Sequence, residues 1–174
     1  MSGPISGESG NCNRFQRGSI ETRWKSQFPL YCSKLGPMSG DKNEVGTTFQ
    51  RSLGLRWISG EGGKTLTVAM DILPEHCGPA GSLEGGIVST LVDVAGASAC
   101  AMALKSPLVA TQHVSLSFLA PGRVGPVEAT TEVVRIGRTD AVAEVRVVDR
   151  GSEDRLMAIG LVTVRNFGDK PKAS

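Results

Sequence analysis

Residues 139–148 alternate. Ala141, Ala143, Val145 and Val147 fall on one side of an extended chain, with Glu144 and Arg146 on the other. That period of two predicts a half-buried strand. Segments 108–119, 126–136 and 155–165 are Val-rich with partial alternation. Pro121-Gly122, Gly137 and Gly151 punctuate them, and such residues favour turns. Upstream, 44–51 reads as a short helix, and 53–59 and 64–71 as two strands about the turn Gly60-Glu61-Gly62-Gly63. Links this short between long strands predict an antiparallel meander, because a parallel crossover needs about a dozen residues or more.

One segment breaks the alternation. Residues 86–104, GIVSTLVDVAGASACAMAL, are apolar almost throughout and carry a single charge, Asp93. A breaker-rich loop, 74–86, precedes them, and Pro107 sets an end near Lys105 because the residue before a proline disfavours helix. As a membrane span this helix would bury Asp93 near its centre, at about 2.5–3.5 kcal/mol. A helix apolar nearly all round is usually enclosed by other structure. No membrane span is expected. One such helix and about six antiparallel strands predict an α+β domain in which the sheet curls round the helix.

Composition then divides the chain. Of its 174 residues, 19 are basic and 17 acidic, for a formal charge of +2. The first 46 hold six basic and four acidic side chains, and the rest carry 13 of each sign. The excess charge therefore lies in a Gly/Ser-rich leader that also holds Phe15, Trp24, Phe28 and Tyr31. The expected division is an N-terminal extension at 1–46, a folded domain at 47–168 and a tail at 169–174. In the leader, Ser19 could cap a helix bearing Ile20, Trp24 and Phe28, or the segment is a disordered tail. Met38 is an alternative natural start. A charge of +2 is too small for a dedicated nucleic-acid binder, whose affinity rests on many phosphate contacts. The four cysteines lack a CxxC pair and there are two histidines, so no metal site or disulfide scaffold is expected. Idle thiols suit a reducing compartment, and the opening MSGPISGESG has no apolar signal core. A cytoplasmic location is the expectation.

The chemistry concentrates in residues 76–93. Gly85 and Gly86 stand where the apolar helix begins, and Asp93 lies on it. A helix N-terminus offers free N–H groups and a positive dipole end, and glycine lets a carbonyl approach them closely. Those are the requirements of an oxyanion hole for acyl transfer. Asp93 is either a buried carboxylate with a structural partner or a catalytic group; its isolation in an uncharged segment motivates the second reading. At 1.5 Å per residue Gly85 and Asp93 lie about 12 Å apart along the axis. One chain cannot easily place both on one carbonyl, but a two-fold dimer could.

The same residues resemble the hotdog-fold acyl-CoA thioesterases of the phenylacetic-acid-pathway type. That family's signature is His-x-Asn-Pro-x-Gly-x-x-His-Gly-Gly, then six residues and an Asp. Here it runs His76-x-Gly78-Pro79-x-Gly81-x-x-Glu84-Gly85-Gly86, with Asp93 at the family's position. The similarity continues through Thr111-Gln-His-Val-Ser-Leu-Ser-Phe118-Leu-Ala-Pro121 and Val133-Val-Arg-Ile-Gly137-Arg138, and covers about residues 49–166. The resemblance implies a hotdog fold and hydrolysis of an acyl-CoA to carboxylate and free coenzyme A. It implies no cofactor beyond the coenzyme A of the substrate, and a homodimer or dimer of dimers.

It also implies roles for individual residues. Gly85 donates its N–H to the thioester oxygen, and Gly86 supports the tight entry. Asp93 of a second subunit acts as base or nucleophile, and Thr111 positions water. Arg123 and Arg138 are candidates for coenzyme A phosphates. His76 keeps its family position, where a structural hydrogen bond is its expected role. Two departures stand out: Gly78 replaces an Asn, and Glu84 a His. Glu84 either favours the helix dipole, joins the site or disfavours an anionic acyl group. The departures motivate an alternative, a non-catalytic acyl-CoA-binding module. A hotdog dehydratase or hydratase ranks last, because the helix offers no histidine.

Overall fold

A computed structural model describes residues 46–59, 65–106 and 108–168. The alternating segments form six strands: β1 (Arg56–Ser59), β2 (Leu66–Met70), β3 (Val109–Phe118), β4 (Val127–Ile136), β5 (Asp140–Asp149) and β6 (Arg155–Asn166). Among the described residues two α-helices accompany them, α1 (Thr48–Ser52) and α2 (Gly85–Leu104). The leader, the 60–63 turn and the C-terminal tail lie outside the described residues.

β1 is shorter than the 53–59 expected. Leu53 closes α1, its N–H donating to Phe49 O, and Leu55 N–H donates to Gln50 O. Those donors are spent on the helix end, and Gly54 turns the chain at φ +64°. Leu53 and Leu55 are buried all the same. The helix itself starts at Thr48, after a capping box between Thr47 and Gln50; residues 44 and 45 of the expected helix lie outside the described residues.

All neighbouring strands are antiparallel, in the order β1-β2-β4-β5-β6-β3. This corrects the simple meander. Of the last four strands only β4, β5 and β6 follow one another in space; β3 lies beyond β6, three strand spacings from β4. That is about 14 Å, well within reach of the eight residues at 119–126. β3 thus becomes an edge strand.

Alternation builds the core. Val127, Ala129, Ala141, Ala143, Val145, Val147, Ala158, Val162 and Val164 are buried on the face that meets α2. The helix answers with Val88, Leu91, Val92, Ala95 and Cys100. Burial of a Leu or Val side chain contributes about 1.5–3 kcal/mol. α2 is long and apolar enough to cross a membrane, yet it lies along the sheet with no residue from 87 to 104 exposed. Contact is close at Gly96, where a Cβ would stand 2.6 Å from Val162 Cβ. The helix ends as expected: Lys105 turns left-handed at φ 53°, two residues before Pro107.

Candidate active site

The loop before α2 is built from short local bonds. A 3-10 turn at Pro74–His76 leads into an isolated bridge between Cys77 and Leu83. Gly78 N–H donates to Ser82 O, and Gly81 N–H to Gly78 O, with Gly81 at φ +64°. Glu84 N–H donates to His76 O at 3.0 Å, which fixes the entry to the helix. Glu84 is the N-cap residue, but its side chain does not cap. Its carbonyl accepts from Ile87 and Val88 N–H. Among the described residues the N–H groups of Gly85 and Gly86 find no acceptor, so the helix presents free donors.

Gly85 sits beside the Phe118 ring, 3.4 Å from Cζ to where its Cβ would be. Around it is a cavity of about 260 Å³ lined by Leu83, Gly85, Val88, Phe118, Leu119, Ala120, Pro121, Gly122 and Met157. The lining side chains are all apolar, and Phe118 is 57% exposed at the mouth. A Cβ at Gly86 would meet nothing within 4 Å. Among the described residues no steric demand therefore requires glycine there.

Asp93 stands two turns along α2, half-buried, and Thr111 Oγ1 donates to its Oδ1 at 2.7 Å. The helix hydroxyls nearer Gly85 are engaged elsewhere: Ser89 Oγ bonds Gly85 O and Thr90 Oγ1 bonds Gly86 O. Thr111 and Asp93 are thus brought together, while Gly85 and Asp93 face different ends of β3. Thr111 pairs with Val164 near the end of β6, and Phe118, beside Gly85, pairs with Ala158 near its start.

The arginines divide the same way. Arg123 belongs to the loop that walls the cavity, just before β4, and Arg138 follows its far end. The ten residues of β4 span about 30 Å, so the two cannot meet one phosphate group within a single chain. Both side chains are exposed. His76 is only 5% exposed; its Nδ1 accepts from Leu73 N–H, and its place is in the turn rather than the cavity wall. Glu84 lies over Gly78, whose Cβ would stand 3.6 Å from Oε1. The Asn-to-Gly and His-to-Glu departures are therefore spatial neighbours. Burial pushes the Cys100 thiol up to about 11 and keeps it protonated. No group of three or more His, Cys, Asp or Glu side chains among the described residues is placed to hold a metal.

Two features escaped the sequence reading. Met157 closes the cavity, and nothing in its local pattern distinguishes it from a core residue. Asp149 is buried and accepts backbone hydrogen bonds from Arg123, Val124 and Gly125; a charge closing an alternating strand was its only signal.

Residues 80–155 match the model of the Thioesterase superfamily. A Halobacterium salinarum protein named as an esterase is 38% identical over 104 residues, covering 56% of this chain and 68% of that one. The chain belongs to the thioesterase superfamily. A second relative of this superfamily member is the 1,4-dihydroxy-2-naphthoyl-CoA hydrolase of Listeria monocytogenes. It is 27% identical over 117 residues, covering 67% of this chain and 93% of the relative. Among solved structures, the E. coli PaaI protein of the phenylacetic acid degradation operon superposes with a TM-score of 0.62 at 23% identity, over 70% of this chain and 86% of that one. The superfamily member thus has the expected hotdog fold, six antiparallel strands about one long helix, of the PaaI-like type.

Proposed function

We propose that this thioesterase-superfamily protein hydrolyses acyl-CoA thioesters, and that each site is assembled from two copies of the chain. The observation that carries the reading is the pairing of free Gly85 and Gly86 donors on one end of α2 with the Thr111-anchored Asp93 eight residues on.

β3 supplies the means of assembly. Its far edge has no partner among the described residues, it is ten residues long, and His113 is its one titratable side chain. An edge this long without Lys or Pro invites another strand. A two-fold axis near Ser115 sets His113 against Ser117 of a second copy. Once the irregularity at Gln112 is counted, Thr111 falls opposite Phe118 of that copy. The Gly85 end of one copy then adjoins the Asp93 end of the other. Arg123 of one and Arg138 of the other come to the same side, available to coenzyme A phosphates.

In that setting the acyl group occupies the apolar cavity and its thioester oxygen accepts from Gly85 N–H. Asp93 of the other copy either takes a proton from water as it attacks the carbonyl carbon, or attacks directly to form an anhydride that water then opens. Thr111 holds one carboxylate oxygen and leaves the other to react. The negative oxygen of the tetrahedral intermediate gains from the helix-end donor, an interaction worth about 2.7–4 kcal/mol in comparable sites. Collapse expels the coenzyme A thiolate. His76 keeps the loop in shape and Glu84 screens acyl groups by charge. The enzyme needs no cofactor of its own and works in the cytoplasm.

The test is thiol release from a panel of acyl-CoAs by wild type and Asp93→Ala. We expect turnover by wild type and a loss of about a hundredfold or more in the variant. Equal rates would remove Asp93 from the mechanism, and tight binding without turnover would favour the non-catalytic module.

A further inference from the structure

Asp149 closes β5, wholly buried, and takes no part in the chemistry above. Its Oδ2 accepts the N–H groups of Arg123 at 2.8 Å and Val124 at 3.1 Å, and its Oδ1 accepts that of Gly125 at 2.8 Å. Three charge-assisted bonds from one carboxylate therefore suspend the loop at 119–126 from a strand more than twenty residues away in sequence. Within the loop Gly122 and Gly125 flank Arg123 and Val124, with Gly125 at φ +73°, a conformation that favours glycine.

The same loop is a wall of the cavity, and it is tied to the opposite wall. Gly122 O accepts the N–H of Leu83 at 2.9 Å. Leu83 is two residues before Gly85, and Glu84 N–H is held by His76 O. A continuous path thus runs from the Asp149 carboxylate through residues 123–125 and the Gly122–Leu83 bond to the start of α2. Displacement of the loop changes both the width of the cavity and the placement of the helix-end donors.

We infer that Asp149 is a positioning residue of the active site, fixing through the 119–126 loop and Leu83 the place of the Gly85 N–H. The kinetic part of this inference rests on the thioesterase reading; the structural part does not. Asparagine cannot substitute, because its amide nitrogen would confront N–H donors where a carboxylate oxygen accepts.

The experiment compares Asp149→Asn with Thr131→Val. Thr131 is likewise buried, donating to Leu66 O at 2.8 Å, but is absent from the cavity wall. Amide hydrogen exchange is followed at the bonded N–H groups of two segments, Leu83 and Glu84, and residues 123–125. Steady-state kinetics are recorded below the unfolding range of both variants. Asp149→Asn is expected to speed exchange at both segments by about tenfold or more, and Thr131→Val to leave them near wild type. On acyl-CoA, Asp149→Asn should lower kcat and raise KM, with kcat/KM down by about ten- to a hundredfold, as for a misplaced catalytic group. Thr131→Val should alter neither by more than about twofold. Should Asp149→Asn not fold, Gly125→Ala tests the same path, since it keeps the carboxylate but strains the loop at φ +73° beside Ile72 N. Unchanged exchange at Leu83 and Glu84, or kinetics matching the Thr131 control, would overturn the inference. A wild type that hydrolyses no thioester overturns the thioesterase reading instead, and exchange alone then decides the role of Asp149.

Discussion

Thr111 Oγ1 donates to Asp93 Oδ1 at 2.7 Å, joining the edge strand to the central helix at the carboxylate proposed to act on the thioester. The bond orients Asp93 without neutralising it. Thr111→Val should therefore lower kcat by about tenfold while leaving KM nearly unchanged, and Thr111→Ser should retain most of the rate. Steady-state measurement of the three proteins on one acyl-CoA checks it. A Thr111→Val enzyme with wild-type kcat would make the bond structural.

Acid stability should depend on Asp149. Burial, the largest single influence, pushes its carboxyl up, but the N–H groups of Arg123, Val124 and Gly125, with Ser152, together hold it below the ordinary 3.8. A carboxyl lowered in the folded state contributes stability that is complete above its unfolded value and is lost as pH falls through the folded one. Urea midpoints taken from pH 6 downward should stay level on this account until near pH 4, then fall. The fall should be shallower in Asp149→Asn, which starts from a lower midpoint.

Close packing at Gly96 predicts a stability effect remote from the site. A methyl group there would stand 2.6 Å from Val162 Cβ, so Gly96→Ala should cost about 1–3 kcal/mol by overpacking. Val162→Ala in the same chain should recover part of it. Thermal unfolding of the two single variants and the double variant reads the coupling directly.

Self-pairing through β3 predicts a charge-sensitive association. Ser115→Asp places two carboxylates across the proposed axis, and like charges directly opposite one another destabilise a strand pair. Sedimentation should show the variant dissociating at concentrations where wild type stays associated. Thiol release should fall with the dissociated fraction, since neither copy alone brings Gly85 to Asp93. Full activity from a monomer would refute the shared site.

Much of this fold was legible because burial leaves a mark on composition. Alternate valines and alanines of β4, β5 and β6 face α2, and the apolar run after the two glycines is the helix they enclose. Strand order was not legible. β3 has the same Val and Ser pattern as a strand inside a meander, and its neighbour is decided by how far the 119–126 link reaches. The helix-end glycines and Asp93 were readable from spacing and family resemblance, and Thr111 from the resemblance alone. Their division between the two ends of β3 appears only once the register with β6 is fixed. The coupling of Gly78 to Glu84 was hidden for a simpler reason: six residues of loop bring them together, and no periodicity governs a loop.

Gly85 and Asp93 lie on one helix, yet in the proposed pair of copies each would serve a different reaction centre. A chain crippled at its helix start still lends a sound carboxylate to its neighbour, and a chain lacking the carboxylate still lends sound donors. Two inactive proteins, one altered at Gly85 and one carrying Asp93→Ala, should therefore regain activity when unfolded together and refolded as a mixture. Each mixed pair would hold one working centre and one doubly damaged one, and random pairing would return about a quarter of the wild-type rate.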